Sequence, residues 1–269
     1  MPDSSAATSR SRPCVAVRRL SPVRPPRVRG AGHDLHHTAS GRSAAVSYYS
    51  APSGSHFAIS ARELLEFVRL HLTDPALAAL REPQVGSVPD FGGGVIGWGL
   101  GWMLYRDGVV GHTGVSKGQK AFLRVVPSAG VAVAVLTNSS GGEPLAYEIF
   151  DAVLKELAGV ETAPLPVPPS NPARIDADRM CGTYRSTLYD FTLTSEHDRA
   201  FLSYHPRNDI AATLLGGPGK RVEVVRLNDS SIITAEPRSG GHQVLSLVGC
   251  DGRGRARFLH DGAAAYRIS

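Results

Sequence analysis

The spacing of apolar residues changes along this chain, and each change predicts a different element. In SARELLEFVRLHL, Leu64, Phe67, Val68 and Leu72 fall on one helical stripe. Ser60 followed three residues later by Glu63 is a capping box, in which a hydroxyl and a carboxylate satisfy free amides at a helix start. Asp74-Pro75 opens a second short helix, because proline at the first helical position gives up no hydrogen bond. After VGSVPDFGGG the period becomes two. Trp98, Leu100, Trp102 and Leu104 alternate with Gly97, Gly99, Gly101 and Met103, which predicts a strand with one bulky and one glycine-rich face.

Asp107-Gly108 signals a tight hairpin. A strand through GHTG, then AFLRVV, the turn PSAG and VAVAVLTN extend the pattern, so residues 96–138 read as an antiparallel meander. A helix follows at 143–158, with Leu145, Ile149, Phe150, Val153, Leu154 and Leu157 as its apolar face and Gly159 as its terminator. Trp98 and Trp102 read as core rather than as a platform for a ligand.

The proline-rich stretch TAPLPVPPSNP marks a stiff linker. Beyond it GTYRS, DFTLTS, AFLSYH, VEVVRL, SIITAE, QVLSLVG and ARFLH alternate between turn signals, predicting a small all-β barrel or sandwich. The expected class is α+β, divided into a disordered Arg/Pro-rich tail (1–50), a sheet-and-helix domain (51–160), a linker (161–174) and the small all-β domain (175–269).

The net charge of +5 raises nucleic acid as a partner until it is located. Eight Arg against Asp3 and Asp34 give residues 1–50 a charge of +6, leaving −1 for the rest. The tail could touch phosphates, but it has no interleaved aromatics, so a plain disordered segment is the reading and nucleic acid is not an expected partner. No apolar run is long enough to span a membrane, and no secretory leader is visible. As it stands the chain reads as cytoplasmic. Its three cysteines, Cys14, Cys181 and Cys250, show no metal-ligand spacing. Cys181 and Cys250 are compatible with a disulfide or with two buried thiols. HDLHH at 33–37 has no carboxylate cluster beside it, so no metal or other cofactor is implied. Asp178, Asp190, Glu196 and Asp198 read as solvated loop charges.

The segment from about 52 to 158 carries a further pattern. PSGSHFAISARELLEFVRLHL, GWGLGW, GHTGVSKGQKAFLRVVPSAGVAVAVLTN and an amphipathic helix, in that order, resemble the closing part of serine β-lactamase-like hydrolases. That superfamily includes penicillin-binding proteins, class C β-lactamases, D-aminopeptidases and esterases. The resemblance implies a partial β-lactamase/transpeptidase-like antiparallel sheet with flanking helices, and the last 90 residues resemble the small barrel that some members carry. It also implies that the HTG box borders an active-site cleft. There His112 would supply positive potential and move protons, Thr113 would hydrogen-bond a substrate carboxylate or carbonyl, Gly114 would let an acyl group lie against the strand, and the Val115 N–H would be an oxyanion donor. Gly118 stands where relatives have a glycine in the next turn. Histidine in place of lysine leans toward the esterase or D-peptidase members. Intact relatives act on small acyl or peptide substrates and are often exported.

The family works through a serine acyl-enzyme, with the serine activated by a lysine one helical turn later. Lys117, Lys120, Lys155 and Lys220 are preceded at that offset by Gly114, Lys117, Ala152 and Gly217, so there is no S-x-x-K. Asn138, Asn171, Asn208 and Asn228 follow Leu136, Pro169, Pro206 and Arg226, so there is no Y-x-N or S-x-N. The expectation is therefore a fragment or truncated family member that is inactive alone. The alternative is a non-catalytic binder of peptidoglycan-like or acyl ligands. If the sheet lacks its partner elements, the faces carrying Val131, Val133, Val135, Trp98 and Trp102 should be uncovered and the chain prone to aggregate.

Overall fold

The structure, a computed structural model, describes residues 14–19, 59–85, 88–90, 92–116, 119–139, 141–238 and 240–269. Its first layer is a six-stranded antiparallel sheet. The strands are β1 (Cys14–Arg19), β2 (Gly97–Trp98), β3 (Met103–Leu104), β4 (Val110–Ser116), β5 (Gln119–Val126) and β6 (Val131–Thr137), in the spatial order β1-β6-β5-β4-β3-β2.

Helix α1 (Ala61–Thr73) starts at the capping box read from the sequence. The Glu63 N–H donates to Ser60 Oγ at 3.3 Å and the Ser60 N–H donates to Glu63 Oε2 at 2.7 Å. Its buried face is Ala61, Leu65 and Val68, with Leu64 and Leu72 partly covered, whereas Phe67 is exposed. The stripe is thus turned by about one position from the sequence reading. α1 packs over Trp102, Leu104, Val110, Leu123, Val125, Ala132 and Ala134.

Helix α2 (Gly142–Ala158) covers the opposite face, burying Ala146, Phe150 and Leu154 against Val109, Phe122, Val126, Val131, Val133 and Val135. Gly159 caps it in the left-handed region, and Leu145, assigned to its apolar face from sequence, is exposed. The expectation of bare sheet faces fails here. Val131, Val133 and Val135 are fully buried under α2 and Trp102 lies under α1, because the two amphipathic helices flank the sheet and close both sides.

Two other sequence readings are corrected. Residues 97–104 form a hairpin rather than one strand. The Gly99 N–H donates to the Trp102 carbonyl at 2.8 Å, Gly101 has φ +84°, and Leu100 is exposed at the tip. A Cβ on Gly99 would lie 2.4 Å from the Leu80 carbonyl oxygen, so the glycines permit the bend and the close approach of the 75–81 turn. Part of the segment read as disordered forms β1, which pairs with β6 from Cys14↔Leu136 to Arg19↔Val131. Its short CVAVRR run has little periodic signal of its own, and the pairing partner is more than a hundred residues away.

Between Ala158 and Ala177 the chain forms neither helix nor strand. The rest builds α3 (Ala177–Met180), β7 (Gly182–Arg185), β8 (Tyr189–Glu196), β9 (Arg199–Pro206), α4 (Asp209–Leu215), β10 (Lys220–Arg226), β11 (Ser231–Thr234), β12 (Val244–Cys250), β13 (Ala256–His260) and β14 (Ala264–Arg267). The eight strands close into a barrel in the order β10-β11-β12-β13-β14-β7-β8-β9. Its interior is filled by side chains, among them Tyr184, Phe191, Leu202, Ile232, Leu245 and Leu259. The barrel rests on the sheet domain at two places. Ser246 Oγ donates to the Asp90 carbonyl, and a Cβ on Gly240 would lie 2.8 Å from Gly141 Cα at the start of α2.

Cys181 and Cys250 are both free, and Cys250 is exposed rather than buried. Asp190 is not a loop charge: it sits on β8 and pairs with Arg185, which donates to it twice, at 2.9 and 2.7 Å. No helix among the described residues is long and apolar enough to cross a membrane.

Candidate active site

Strand β4 carries the HTG box, and its two edges are unequal. Toward β5 it is paired along its whole length, from Val110↔Val125 to Ser116↔Gln119. Toward β3 it is paired only at Gly111 and Val110. From His112 to Ser116, therefore, no strand among the described residues neighbours the β3-side edge. The Tyr105 N–H donates to the Val109 carbonyl at 2.8 Å, which fixes the alternation: Val109, and with it Gly111, Thr113 and Val115, turn their backbone polar groups toward that edge. The N–H groups of Thr113 and Val115 thus point out of the sheet, while those of His112 and Gly114 serve the β5 ladder.

Side chains alternate the other way. Val110 packs under α1 and Val109 under α2, so His112 and Gly114 share the α1 face while Thr113 and Val115 share the α2 face. The four residues assigned from sequence are brought to one edge but not to one face. His112 and Gly114 are exposed, Thr113 is half-buried, and Val115 is 72% exposed. Lys117 and Gly118 lie outside the described residues, as does HDLHH at 33–37.

His112 stands edge-on to Trp98, ring centroids 6.2 Å apart at 88°. Trp98, read from sequence as core, is half-buried and borders this edge. Desolvation of the imidazole pulls its pKa below the ordinary histidine value. A backbone hydrogen bond with Thr113 opposes that shift, and the nearby Arg124 guanidinium adds to it. At neutral pH the ring is therefore a neutral proton acceptor and donor rather than a fixed cation.

The two glycines of β4 differ in why they are glycine. A Cβ on Gly111 would lie 2.1 Å from the Leu123 carbonyl oxygen, a collision with backbone that forbids any side chain. A Cβ on Gly114 would meet only Ala121 Cβ, at 3.7 Å, an ordinary contact. Packing among the described residues explains Gly111 and does not explain Gly114.

Sequence reasoning passed over Arg124 on β5. It is 3% exposed and lies over the rings of Tyr105, Phe150 and Tyr147 at 4.0, 5.0 and 5.5 Å. The available signal was a single charge inside the apolar run AFLRVV. Among the described residues no group of three or more His, Cys, Asp or Glu is placed to hold a metal ion.

The sheet is flanked by a helix on each face, and the HTG box lies along a strand edge that no described strand pairs. In agreement with this, residues 9–158, more than half of the chain, match the family Beta-lactamase, and the chain belongs to that family. It is similar to penicillin-binding protein 4 of Amycolatopsis lactamdurans, with 40% identity over 141 residues that cover 47% of this chain and 37% of that protein. Two crystal structures share the fold. SurE aligns at TM-score 0.54 with 26% identity, covering 78% of this chain and 48% of that one. SurE with D-Leu aligns at 0.52 with 25% identity, covering 77% and 46%. Coverage of that size reaches past residue 158, so the likeness to SurE continues into the segment that forms the barrel. The chain spans less than half the length of each of these relatives.

Proposed function

We propose that this chain provides the strand-edge wall of an acyl-transfer cleft of the penicillin-binding type, and that it presents acyl or peptide groups bearing a D-residue without opening them itself. The observation that carries the reading is an edge of β4 that no described strand pairs, with a glycine in it that no described neighbour requires. An extended acyl-peptide laid antiparallel to Thr113–Val115 would take up the outward backbone groups, and Gly114 leaves room for its acyl carbon. The Val115 N–H would donate to the carbonyl oxygen of the bound acyl group. His112, neutral and beside Trp98, would hydrogen-bond the polar group next to that carbonyl. The D-configured substrate class is suggested by SurE with D-Leu.

The missing chemistry is the nucleophile. No S-x-x-K and no Y-x-N or S-x-N occurs within these 269 residues. A neutral imidazole and strand amides stabilise charge but supply no alkoxide, so the covalent step has no starting group. Intact-mass spectrometry after incubation with a fluorophosphonate and with a penicillin tests this. Unchanged mass is expected, and an adduct on any of the chain's own side chains refutes it.

A second reading is favoured by one observation: each part of the fold has its own closed core, with the sheet covered on both faces and the barrel packed. On that reading the chain folds alone as a binding protein for peptidoglycan-like or acyl ligands at the same edge. It predicts a single cooperative unfolding transition whose midpoint rises with an N-acyl-D-Ala-D-Ala peptide. A molten product with no such shift would rule it out.

A further inference from the structure

We propose that the cavity between the α2 face of the sheet and the 159–163 segment is a second binding site, for a monocarboxylate carrying a compact apolar or aromatic group. The cavity has a volume of about 660 Å³, within the range of small-molecule sites. Its walls come from separate parts of the chain: the glycine loop at Gly93 and Gly94, the turn at Tyr105–Val109, Tyr147 and Phe150 of α2, and Thr162 with Ala163. None of the four HTG-box residues lines it.

Arg124 supplies its charge. Arg124 is 3% exposed as a residue, a position that is costly for a cation unless it is paired. No carboxylate among the described residues pairs with it. Nη1 donates to the Leu123 carbonyl at 2.9 Å and Nη2 donates to the Tyr147 hydroxyl at 3.2 Å, and Nε–H has no acceptor among the described residues. Three aromatic rings hold the plane of the group without satisfying its remaining donors. A carboxylate matches those donors in geometry and charge.

The acidic residues of the lining set the ligand's charge. Asp90 Oδ1 accepts from the Gly92 N–H at 2.9 Å, Glu161 pairs with Lys155 at 2.9 Å, and Asp107 follows Arg106 in the exposed turn. With three acids at the lining, one carboxylate is accommodated more readily than a dianionic phosphate. Ile96 and Tyr105 offer apolar surface to the rest of the molecule, backed by the buried Val109 and Phe150. The glycine loop keeps the space open: a Cβ on Gly93 would lie 2.7 Å from the Tyr147 hydroxyl, and that hydroxyl donates to the Gly93 carbonyl at 3.4 Å.

Isothermal titration of sodium benzoate into the full chain tests this, with inorganic phosphate as the comparison. Saturable one-to-one benzoate binding is expected, weakened at least about tenfold by Arg124→Gln, the size of a lost charge-assisted hydrogen bond. Because Arg124→Gln removes a buried group and is liable to misfold, Ala163→Trp is the second variant. Ala163 is exposed at the lining, and the indole should block the cavity and abolish binding while the ligand-free melting temperature stays unchanged. Absence of benzoate binding, binding that survives Ala163→Trp, or tighter binding of phosphate than of benzoate would overturn the proposal.

Discussion

Gly111 and Gly114 differ at the scale of single atoms, and the difference is measurable. Gly111→Ala forces a methyl group into the Leu123 carbonyl, so a loss of stability of about 1–3 kcal/mol or more is expected in urea denaturation. Gly114→Ala meets no obstacle among the described residues and should change stability by less than about 0.5 kcal/mol, while weakening any acyl-peptide held at the β4 edge. Equal destabilisation by the two would show that Gly114 has a packing role. His71 offers a pH test. It is 8% exposed against Trp102 and Phe67, and its Nδ1 has no hydrogen-bond partner among the described residues. Burial, with help from Arg81, lowers its pKa. A depressed folded-state value means that the unfolded chain takes up the proton first. His71 therefore contributes full stability above its ordinary pKa of about 6.5 and loses it as pH falls below that value. Denaturation between pH 8 and pH 5 should show this loss, and His71→Leu should remove part of the slope. Little of this was legible in sequence. The HTG box stands out as a motif, but which glycine is structural, and that Arg124 is buried among three rings, depend on neighbours distant in the chain.

Elements were legible where local chemistry decides them. Ser60 and Glu63 cap α1 as read, and Ser60→Ala should cost about 1 kcal/mol. Asp107 and Gly108 both adopt positive φ in the β3–β4 turn, as the dipeptide signals. Elements whose partner makes them strands were missed. β1 exists because β6 offers it an edge, and β14, with its weak AAYR run, exists because β13 and β7 leave a gap that closes the barrel. The 97–104 segment was misread because alternation of bulky residues and glycine fits both a strand and a bent hairpin. The unequal edges of β4 give this scale its own prediction. In hydrogen exchange followed by NMR, the amides of Thr113 and Val115 should exchange quickly and those of His112 and Gly114 slowly. Uniform protection along β4 would mean that another segment covers the edge.

For the whole molecule, the sheet with its two helices and the closed barrel form separate cores that meet at the 90–94 loop and the start of α2. The change from a mixed to a purely alternating pattern announces the barrel, but nothing in the pattern announces where it touches the sheet. Ser246–Asp90 and Gly240–Gly141 join residues with no motif between them. The ion pairs Arg185–Asp190, Arg199–Glu223 and Arg221–Glu196 decorate the barrel's outside, where each contributes little to stability. The central claim is that the open edge of β4 holds an acyl-peptide. The most direct measurement is an amide NMR titration of the chain with N-acetyl-D-Ala-D-Ala. Thr113 and Val115 should shift and gain protection from exchange, with no change in protein mass. Shifts confined to the Arg124 cavity, or no shifts on β4 at saturating peptide, would contradict it.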